Sequence, residues 1–247
     1  MEMNLIIDIG NTRVKIAFFN KNDLVEKAIL ETLSLDDLSG LLKGRNIDAV
    51  IVSVSGKDTE GMDKWLAERY YFIKLHHQTP IPIKNLYSTP ETLGKDRLAA
   101  VIAAQYLFPH KNCLAIDSGT CITYNFINDR AEFIGGNIAP GLNMRLKAMH
   151  HFTAKLPLVE RNTEGVATSN LVAQSTQQAM LNGAQMGLLA EVEGFTSRFL
   201  KEFGDIQVIL TGGDGEFLYK NVSIEKIYYE PNLVLIGLNQ ILNFNKK

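Results

Sequence analysis

The chain has 247 residues, of which 46% are hydrophobic, and its formal net charge at pH 7 is −2. This hydrophobic content is enough for a packed core in one large or two modest domains. Lysine and arginine do not cluster anywhere except at Lys246-Lys247, so the charge pattern argues against binding to nucleic acid or to an anionic membrane.

Apolar periodicity and turn signals divide the first half of the chain into alternating strands and helices. Prolines mark its irregular parts: the proline-rich segment Gln78–Pro90 predicts an extended loop, and Pro109 ends an alanine-rich helix. In chain order, the predicted elements are strands Asn4–Ile7 and Val14–Phe19, a candidate strand Lys27–Thr32, helix Leu35–Leu42, strand Ala49–Val54, helix Met62–Arg69, strand Tyr71–Leu75 and helix Lys95–Leu107.

The second half repeats the opening pattern and then differs from it. A strand pair leads to a predicted glycine turn at Gly135-Gly136, and the glycine-punctuated stretch Leu171–Phe203 predicts two helices or one kinked helix. In chain order, the predicted elements are strand Leu114–Asp117, a hairpin that continues to Glu132–Ile134, helix Gly141–His150, an irregular segment Phe152–Ala167, the stretch Leu171–Phe203, strand Val208–Leu210 and helix Pro231–Leu242.

The sequence also predicts the compartment, a cytoplasm without membrane attachment. The N-terminal apolar run is short, lacks a basic flank and is broken by Asp8, which argues against a signal peptide. No run approaches the roughly 18 uncharged apolar residues that a membrane-spanning helix needs. The two cysteines, Cys113 and Cys121, fit a reducing compartment.

One short motif occurs twice, at the end of the first strand of each half. Asp8-Ile-Gly-Asn-Thr12 and Asp117-Ser-Gly-Thr120 both continue an apolar run into an aspartate, a glycine turn and a hydroxyl. When the threonines are aligned, Phe18 also falls on Phe126. Such a turn can direct backbone N–H groups and a hydroxyl at a phosphate, while the aspartate faces a cation.

The duplication predicts an α/β protein with two related lobes, 1–115 and 116–247, and a nucleotide-binding cleft between them. Each lobe should contain a mixed sheet flanked by helices. Other nucleotide-binding folds are excluded because the chain has neither a G-x-x-x-x-G-K-[ST] loop nor a G-x-G-x-x-G turn between its first strand and helix. The alternative for either turn alone is an ordinary hairpin with an Asx-type cap. The matched pair argues against it, because no structural need requires the same turn twice.

The residue types in these turns suit phosphoryl transfer, which needs positioned phosphates, a cation and a placed nucleophile. Gly10–Thr12 and Gly119–Thr120 can donate hydrogen bonds to phosphate oxygens, and Lys15 can reach a phosphate as a point charge. Asp8 and Asp117 require bridging cations, because carboxylates do not bind phosphates directly.

Asp96 and Arg97, at the start of the predicted helix Lys95–Leu107, have two interpretations. On spacing alone, Asp96 is a helix cap and Arg97 a solvated surface charge, since acidic first turns are common. In the functional interpretation, Asp96 is the general base that accepts the proton of an alcohol, and the planar guanidinium of Arg97 binds a carboxylate of the substrate.

Six short motifs follow one another over nearly the whole chain. They are Asp8–Arg13 (DIGNTR), Gly94–Arg97 (GKDR), Asp117–Thr120 (DSGT), Gly135–Gly141 (GGNIAPG), Thr153–Pro157 (TAKLP) and Thr211–Gly213 (TGG). Together they resemble the type III pantothenate kinases, within the superfamily that contains actin, hexokinase and the heat-shock chaperone ATPases. The chain departs from the family pattern at Ser175 and at Leu181-Asn182, although Thr176 is present.

The resemblance implies that the protein phosphorylates pantothenate with ATP to 4′-phosphopantothenate, the first step of coenzyme A biosynthesis. It implies Mg²⁺, a monovalent cation (K⁺ or NH₄⁺) near Asp117 as a metal ligand, and Asp96 as the catalytic base. It also implies a homodimer whose active site lies near an interface built on Leu171–Phe203. The implied ATP-binding residues are Asp8, Ile9, Gly10, Asn11, Thr12, Arg13, Val14, Lys15, Gly119, Thr120, Gly212 and Gly213. The implied substrate-binding residues are Tyr87, Gly94, Lys95, Asp96, Arg97 and Thr176.

Two other functions stay open from the sequence. One is a kinase of the same superfamily that acts on a sugar or on another small hydroxylated or carboxylate metabolite; the Gly94–Arg97 motif and the short chain argue against it. The other is a non-catalytic regulatory or accessory relative. Such a protein should have lost Asp8, Asp96 or a glycine turn, and all of these are present.

Overall fold

The computed structural model describes residues 3–55, 60–161 and 171–246, which form two compact units. The first unit consists of described residues within Met1–Pro109, Ala131–Ile134 and Asn232–Lys247, and the second of those within His110–Arg130 and Gly135–Pro231. In these described ranges, no helix combines the length and the apolar character that crossing a membrane requires.

The first unit is built on a five-stranded mixed sheet. Its strands are β1 (Met3–Ile9), β2 (Val14–Asn20), β3 (Asp23–Leu30), β4 (Ile47–Val54) and β5 (Tyr71–Lys74), in the spatial order β3-β2-β1-β4-β5. The β1–β2 and β2–β3 pairs are antiparallel, and the β1–β4 and β4–β5 pairs are parallel. β1 and β4 are buried along almost their whole length, which explains why both read as continuous apolar runs.

Four helices cover this sheet: α1 (Leu35–Leu42), α2 (Glu60–Ala67), α3 (Lys95–Leu107) and the C-terminal α7 (Leu233–Asn245). α1 begins at a capping box, in which the Ser34 side chain and Asp37 bond each other's backbone N–H groups. Leu38 of α1 and Leu66 of α2 are fully buried in a core cluster with β1 and β4. α3 and α7 pack against each other and against the sheet.

The second unit has its own mixed sheet and three helices. The strands are β7 (Asn112–Ser118), β8 (Cys121–Ile127), β9 (Glu132–Pro140), β10 (Ile206–Thr211) and β11 (Ile227–Tyr229), and the helices are α4 (Leu142–His151), α5 (Thr176–Phe203) and α6 (Gly215–Asn221). The strand order is β11-β10-β7-β8-β9. The start of β9, residues 132–134, belongs to the first unit, where Glu132 and Phe133 pair with the short β6 (Lys84–Asn85).

The two sheets share one arrangement around their central strand. β1 has an antiparallel partner, β2, on one side and a parallel partner, β4, on the other; β7 has β8 and β10 in the same two places. The predicted α/β fold with a duplicated mixed sheet flanked by helices is therefore confirmed.

Two predicted elements are wrong in detail. The predicted turn at Gly135-Gly136 does not form, because β9 continues through both glycines to Pro140. Gly136 is needed for close packing instead, since a Cβ there would overlap the carbonyl of Tyr124 on β8. The final helix begins at Leu233 after an Asn232 cap, so Pro231 precedes the helix rather than opening it.

Other boundaries also differ from the sequence prediction. The stretch predicted as two helices or one kinked helix is one helix, α5, which begins at Thr176. The predicted irregular segment Phe152–Ala167 is described only as far as Arg161, and the rest lies outside the described residues. The compact units differ from the division at 115/116, because Asn232–Lys247 lies with the N-terminal unit through the packing of α7 on α3.

Candidate active site

The first glycine turn connects β1 to β2. The Gly10 N–H donates to the Arg13 carbonyl at 3.1 Å, and residues 11–13 are exposed. Ile9 and Val14 pair with each other at the base of the turn and are 8% and 5% exposed. Their side chains belong to the hydrophobic core, so these two predicted ATP-binding residues can offer a nucleotide only their backbone.

Asp8 lies in a group of charged and polar side chains beside this turn. It is buried, at 7% exposure, and its strand neighbours are Lys15 on β2 and Ser53 on β4. Burial raises the pKa of the Asp8 carboxyl, the Lys15 charge lowers it, the Asp96 charge raises it, and the Ser53 hydroxyl lowers it. The carboxylates of Asp8 and Asp96 are therefore near enough to repel each other.

The donor atoms of this group fit a hard cation. The Ser53 hydroxyl is fully buried. It lies near enough to Asp8 to lower the pKa of that carboxyl, but it makes no hydrogen bond of ordinary geometry with any described residue. Mg²⁺ takes oxygen ligands and is usually held by one or two carboxylates together with substrate phosphates. Asp8 and its strand neighbour Ser53 offer oxygens of this kind next to the first glycine turn.

The Gly94–Arg97 motif forms the start of α3. Gly94 caps the helix, and the Asp96 carboxylate accepts a hydrogen bond from the Arg97 N–H at 2.8 Å. A Cβ at Gly94 would lie 2.5 Å from an oxygen of that carboxylate, so a larger residue here would displace the Asp96 side chain. The contact between Asp96 and the Arg97 N–H lies within the first turn of α3, whose N-cap residue is Gly94, so both the capping interpretation of Asp96 and its role as a base stay predictions.

Lys95 extends from the same turn to the end of β4. Its ammonium donates to the Val54 carbonyl at 3.0 Å. Burial lowers the pKa of Lys95 and the charge of Lys74 lowers it further, while Asp63 opposes both. The motif is thus anchored to the strand that carries Ser53.

Arg97 is buried, at 5% exposure, which contradicts its interpretation as a solvated surface charge. Its Nη1 donates to the Tyr87 hydroxyl at 3.4 Å, and its guanidinium carbon lies 5.3 Å from the centre of the Tyr87 ring. That ring stacks on Phe133, with centroids 6.0 Å apart and an interplanar angle of 5°. The predicted contacts Tyr87 and Arg97 therefore lie side by side.

The second glycine turn connects β7 to β8 and is fixed by the backbone. The Gly119 N–H donates to the Cys121 carbonyl at 2.9 Å, and the Gly141 N–H donates to the Thr120 carbonyl at 3.2 Å. A Cβ at Gly141 would overlap the carbonyl oxygens of Gly119 and Thr120. The Gly135–Gly141 motif therefore ends in direct contact with this turn.

The late glycine turn lies against the same end of β7. Gly212 has a φ of 89°, and a Cβ there would overlap the Asp117 carboxylate and the Ser118 carbonyl. The Asp214 N–H donates to the Ser118 carbonyl at 2.9 Å, and the buried Asp214 carboxylate pairs with Arg161. Among the predicted residues, the second unit thus groups Asp117, Gly119, Thr120, Gly212 and Gly213 around the end of β7.

Thr176 differs in position from the other predicted substrate contacts. It is exposed in the first turn of α5, whose Ser175 cap accepts a hydrogen bond from the Gln178 N–H at 3.4 Å. Thr176 belongs to the second unit, whereas Tyr87 and residues 94–97 belong to the first.

Sequence reasoning missed three polar residues of these groups. Ser53 could have been noticed at the end of the predicted strand Ala49–Val54, which carries an unexpected hydroxyl in an apolar run. Asp214 could have been noticed inside the glycine-rich segment after Thr211. Nothing local in the sequence indicates Arg161, because its partner is far away along the chain.

Two units that each present an aspartate and a glycine turn on a mixed sheet define an ATPase fold of the sugar-kinase type. The chain is similar to the ROK hexokinase of Thermus thermophilus, with a TM-score of 0.53 and 12% identity over 99% of this chain and 100% of that chain. It is also similar to a Campylobacter jejuni protein described as a candidate transcriptional activator of the Baf family, with a TM-score of 0.60 and 22% identity over 98% of both chains. At these identities, the likeness shows the fold alone.

Sequence relatives define the family more closely. A family model described as type III pantothenate kinase matches residues 4–198. A type III pantothenate kinase of Phocaeicola vulgatus is 42% identical over 249 residues, which cover 99% of this chain and 100% of the relative. One of Bacteroides fragilis is 41% identical over 244 residues, which cover 98% of each chain. The chain therefore belongs to the type III pantothenate kinase family.

Proposed function

We propose that this chain is a pantothenate kinase, which transfers the γ-phosphate of ATP to the primary hydroxyl of pantothenate to give 4′-phosphopantothenate, the first step of coenzyme A biosynthesis. The observation that carries the proposal is the start of α3. There, Arg97 is buried against Tyr87, and Asp96 lies within electrostatic reach of Asp8. Family membership supports the same reaction.

The two glycine turns are assigned to ATP. The backbone N–H groups and hydroxyls of 10–12 and 119–120 can donate to phosphate oxygens, and Lys15 supplies a positive charge beside the first turn. Gly212 and Gly213 are assigned to the adenosine, since the late turn lies against the strand that ends in the second phosphate turn.

The start of α3 is assigned to pantothenate. The planar guanidinium of Arg97 suits the pantothenate carboxylate, and its stacking with Tyr87 holds it in one orientation. Asp96 accepts the proton of the substrate hydroxyl as that oxygen forms its bond to the γ-phosphorus and the bond from phosphorus to the β–γ bridging oxygen breaks. ADP then leaves with the electron pair of the broken bond.

Two cations complete the proposal. Asp8 and the Ser53 hydroxyl would hold Mg²⁺, and Asp117 would contribute to a site for K⁺ or NH₄⁺. When bound, these ions neutralise the charge of the ATP phosphates. The protein residues provide the oxygen ligands and, through Lys15, part of the opposing charge.

The proposal extends to a homodimer built on α5. Leu171 and Val172, a few residues before this helix, are 78% and 77% exposed and form adjoining apolar surface that a partner chain could cover. A dimer would cover them and would bring the exposed Thr176 next to a partner surface.

The direct test is pantothenate-dependent release of ADP. Purified protein with ATP, Mg²⁺ and K⁺ should release ADP and form one 4′-phosphopantothenate for each ADP when pantothenate is added. Glucose, glycerol and acetate in place of pantothenate should give no more than background. Folded protein that releases no ADP with pantothenate would contradict the proposal, and turnover of another acceptor would redirect it to a related kinase.

A further inference from the structure

A group of three polar side chains connects three elements of the second unit behind its glycine turn. Arg145 of α4 donates through Nη2 to Oε2 of Glu191 on α5 at 2.5 Å. The hydroxyl of Tyr124 on β8 donates to Oε1 of the same carboxylate at 2.8 Å. Burial and the Glu191 charge raise the pKa of Tyr124, so its hydroxyl stays a proton donor at neutral pH.

Arg145 also holds the backbone that leads to the second phosphate turn. Its Nε donates to the Pro140 carbonyl at 2.8 Å. The next residue, Gly141, donates its N–H to the Thr120 carbonyl and packs its bare Cα against the carbonyl oxygens of Gly119 and Thr120. A continuous series of contacts therefore runs from Glu191 to the turn assigned to ATP.

We propose that Arg145 and Glu191 are positioning residues for phosphoryl transfer: Glu191 orients Arg145, and Arg145 holds Pro140-Gly141 against the second phosphate turn. This inference rests on the proposed function, because it assigns that turn to the ATP phosphates. The rigid, planar guanidinium of Arg145 suits this positioning role, because it donates to the Glu191 carboxylate and to the Pro140 carbonyl at the same time. The Arg145 and Glu191 side chains are 20% and 23% exposed, so solvent screens their pair only in part.

The alternative is that the three side chains only hold α4, α5 and β8 together. Two variants separate these roles. Arg145→Lys keeps a positive charge that can pair with Glu191 but loses the Nε–H that bonds Pro140. Glu191→Gln keeps the shape of the side chain but loses the charge that orients Arg145. A matched control is Lys226→Gln. This change removes the exposed ion pair between Lys226 and Asp205, which directly precedes the start of β10, whereas the late glycine turn follows the end of that strand.

The experiment is titration calorimetry with the Mg²⁺ complex of a non-hydrolysable ATP analogue, without pantothenate. We expect Arg145→Lys to weaken binding of the analogue about tenfold, because small displacements of a binding turn have large effects. Glu191→Gln should follow in the same direction and Lys226→Gln should bind as the wild type does. In steady-state assays, the KM for ATP should rise while the KM for pantothenate is unchanged.

Each outcome bears on the proposal. Wild-type affinity in both Arg145→Lys and Glu191→Gln, whatever their Tm, overturns it. If Arg145→Lys does not fold, the decision passes to Glu191→Gln and to Tyr124→Phe, which removes one hydroxyl and should weaken binding about threefold. If the wild type binds the analogue but does not phosphorylate pantothenate, the proposed function fails, and the binding data still decide the role of Arg145. If the wild type does not bind the analogue, both proposals are contradicted.

Discussion

At Asp8, stability and proposed function oppose each other. The buried charge of its carboxylate destabilises the fold, whereas the proposed function needs that charge to hold a cation. Burial raises its pKa above the ordinary value of 3.8, and the neighbouring Asp96 adds to the shift. The folded protein therefore binds a proton at Asp8 more tightly than the unfolded chain does. At a pH above the raised pKa, the ionised carboxylate destabilises the fold, and this loss disappears as the pH falls from the raised pKa towards 3.8.

Asp8→Asn should accordingly raise the Tm of the metal-free protein at neutral pH, because it removes a buried charge. The gain should shrink as the pH is lowered through the raised pKa. Thermal denaturation of both proteins between acid and neutral pH measures it. The same variant should lose activity and the stabilisation that Mg²⁺ with ATP gives the wild type. A gain in Tm that does not change with pH would show that the charge of Asp8 is not its cause.

Asp96 and Arg97 are adjacent but should give different kinetic signatures. Asp96→Asn keeps the size of the side chain but cannot accept a proton, so kcat should fall about 10²–10⁴-fold with little change in the KM for ATP. Arg97→Met keeps an apolar stem against Tyr87 and loses the guanidinium, so it should mainly raise the KM for pantothenate. Steady-state assays with each substrate varied give both parameters. If Asp96→Asn lowered only the Tm, Asp96 would be a helix cap and not a base.

Asp117 carries the prediction about the monovalent cation. If its carboxylate contributes to a K⁺ site, replacing K⁺ by Na⁺ at constant ionic strength should lower the rate, since the two ions differ in size and preferred coordination. Asp117→Asn should reduce the rate and the dependence on K⁺ together. Initial rates in matched chloride buffers measure both effects. Equal rates in the two salts would remove the monovalent cation from the proposal.

At the scale of the element, the contact between α3 and α7 positions the residues assigned to pantothenate. Gly237 of α7 lies on the backbone of α3, where a Cβ would overlap the carbonyl of Ala99. Ala99 is fully buried, so neither helix can move aside without disturbing the core. The start of α3, with Asp96 and Arg97, is therefore held in part by the C-terminal helix.

Gly237→Ala should destabilise the protein by about 1–3 kcal/mol, because it forces two packed backbones apart. It should also lower kcat, because α3 carries the assigned base. The control is Gly40→Ala on the exposed face of α1, where a Cβ meets no atom within 4 Å. This control should be neutral or stabilising by up to about 1 kcal/mol, because alanine favours a helix over glycine. Similar losses of Tm in Gly237→Ala and Gly40→Ala would contradict the claim that the close contact between α3 and α7 causes the loss.

At the scale of the whole molecule, local patterns in the sequence could be predicted and contacts between distant residues could not. The two glycine turns and the start of α3 follow from short motifs, because glycine and an aspartate determine a turn locally. The continuation of β9 through Gly135-Gly136 could not be predicted, because paired glycines usually indicate a turn. Here Gly136 instead allows close packing on Tyr124. Arg145 and Glu191 meet across 46 positions of the chain, and no local signal predicts such a pair.

The predicted homodimer leads to a test of whether each active site takes residues from two chains. Asp96 lies in the first unit, and Thr176 is exposed in the second, at the start of the helix to which we assign the dimer interface. If Thr176 contacts pantothenate in the partner's site, Asp96→Asn and Thr176→Ala damage the same site only when they come from different chains. A mixed dimer then has one site with both changes and one site with neither.

We expect each variant alone to have lowered activity. Mixing the two under conditions in which dimers exchange should therefore raise the activity above that of either variant alone. Half of the dimers in a random equimolar mixture are mixed, so about a quarter of all sites should be intact. Sedimentation should show a dimer for both variants, and unmixed samples at the same total concentration are the control. If Thr176 instead serves the site of its own chain, every site in the mixture carries one change, and activity should stay at the level of the unmixed variants. That result would keep the kinase but confine each active site to a single chain.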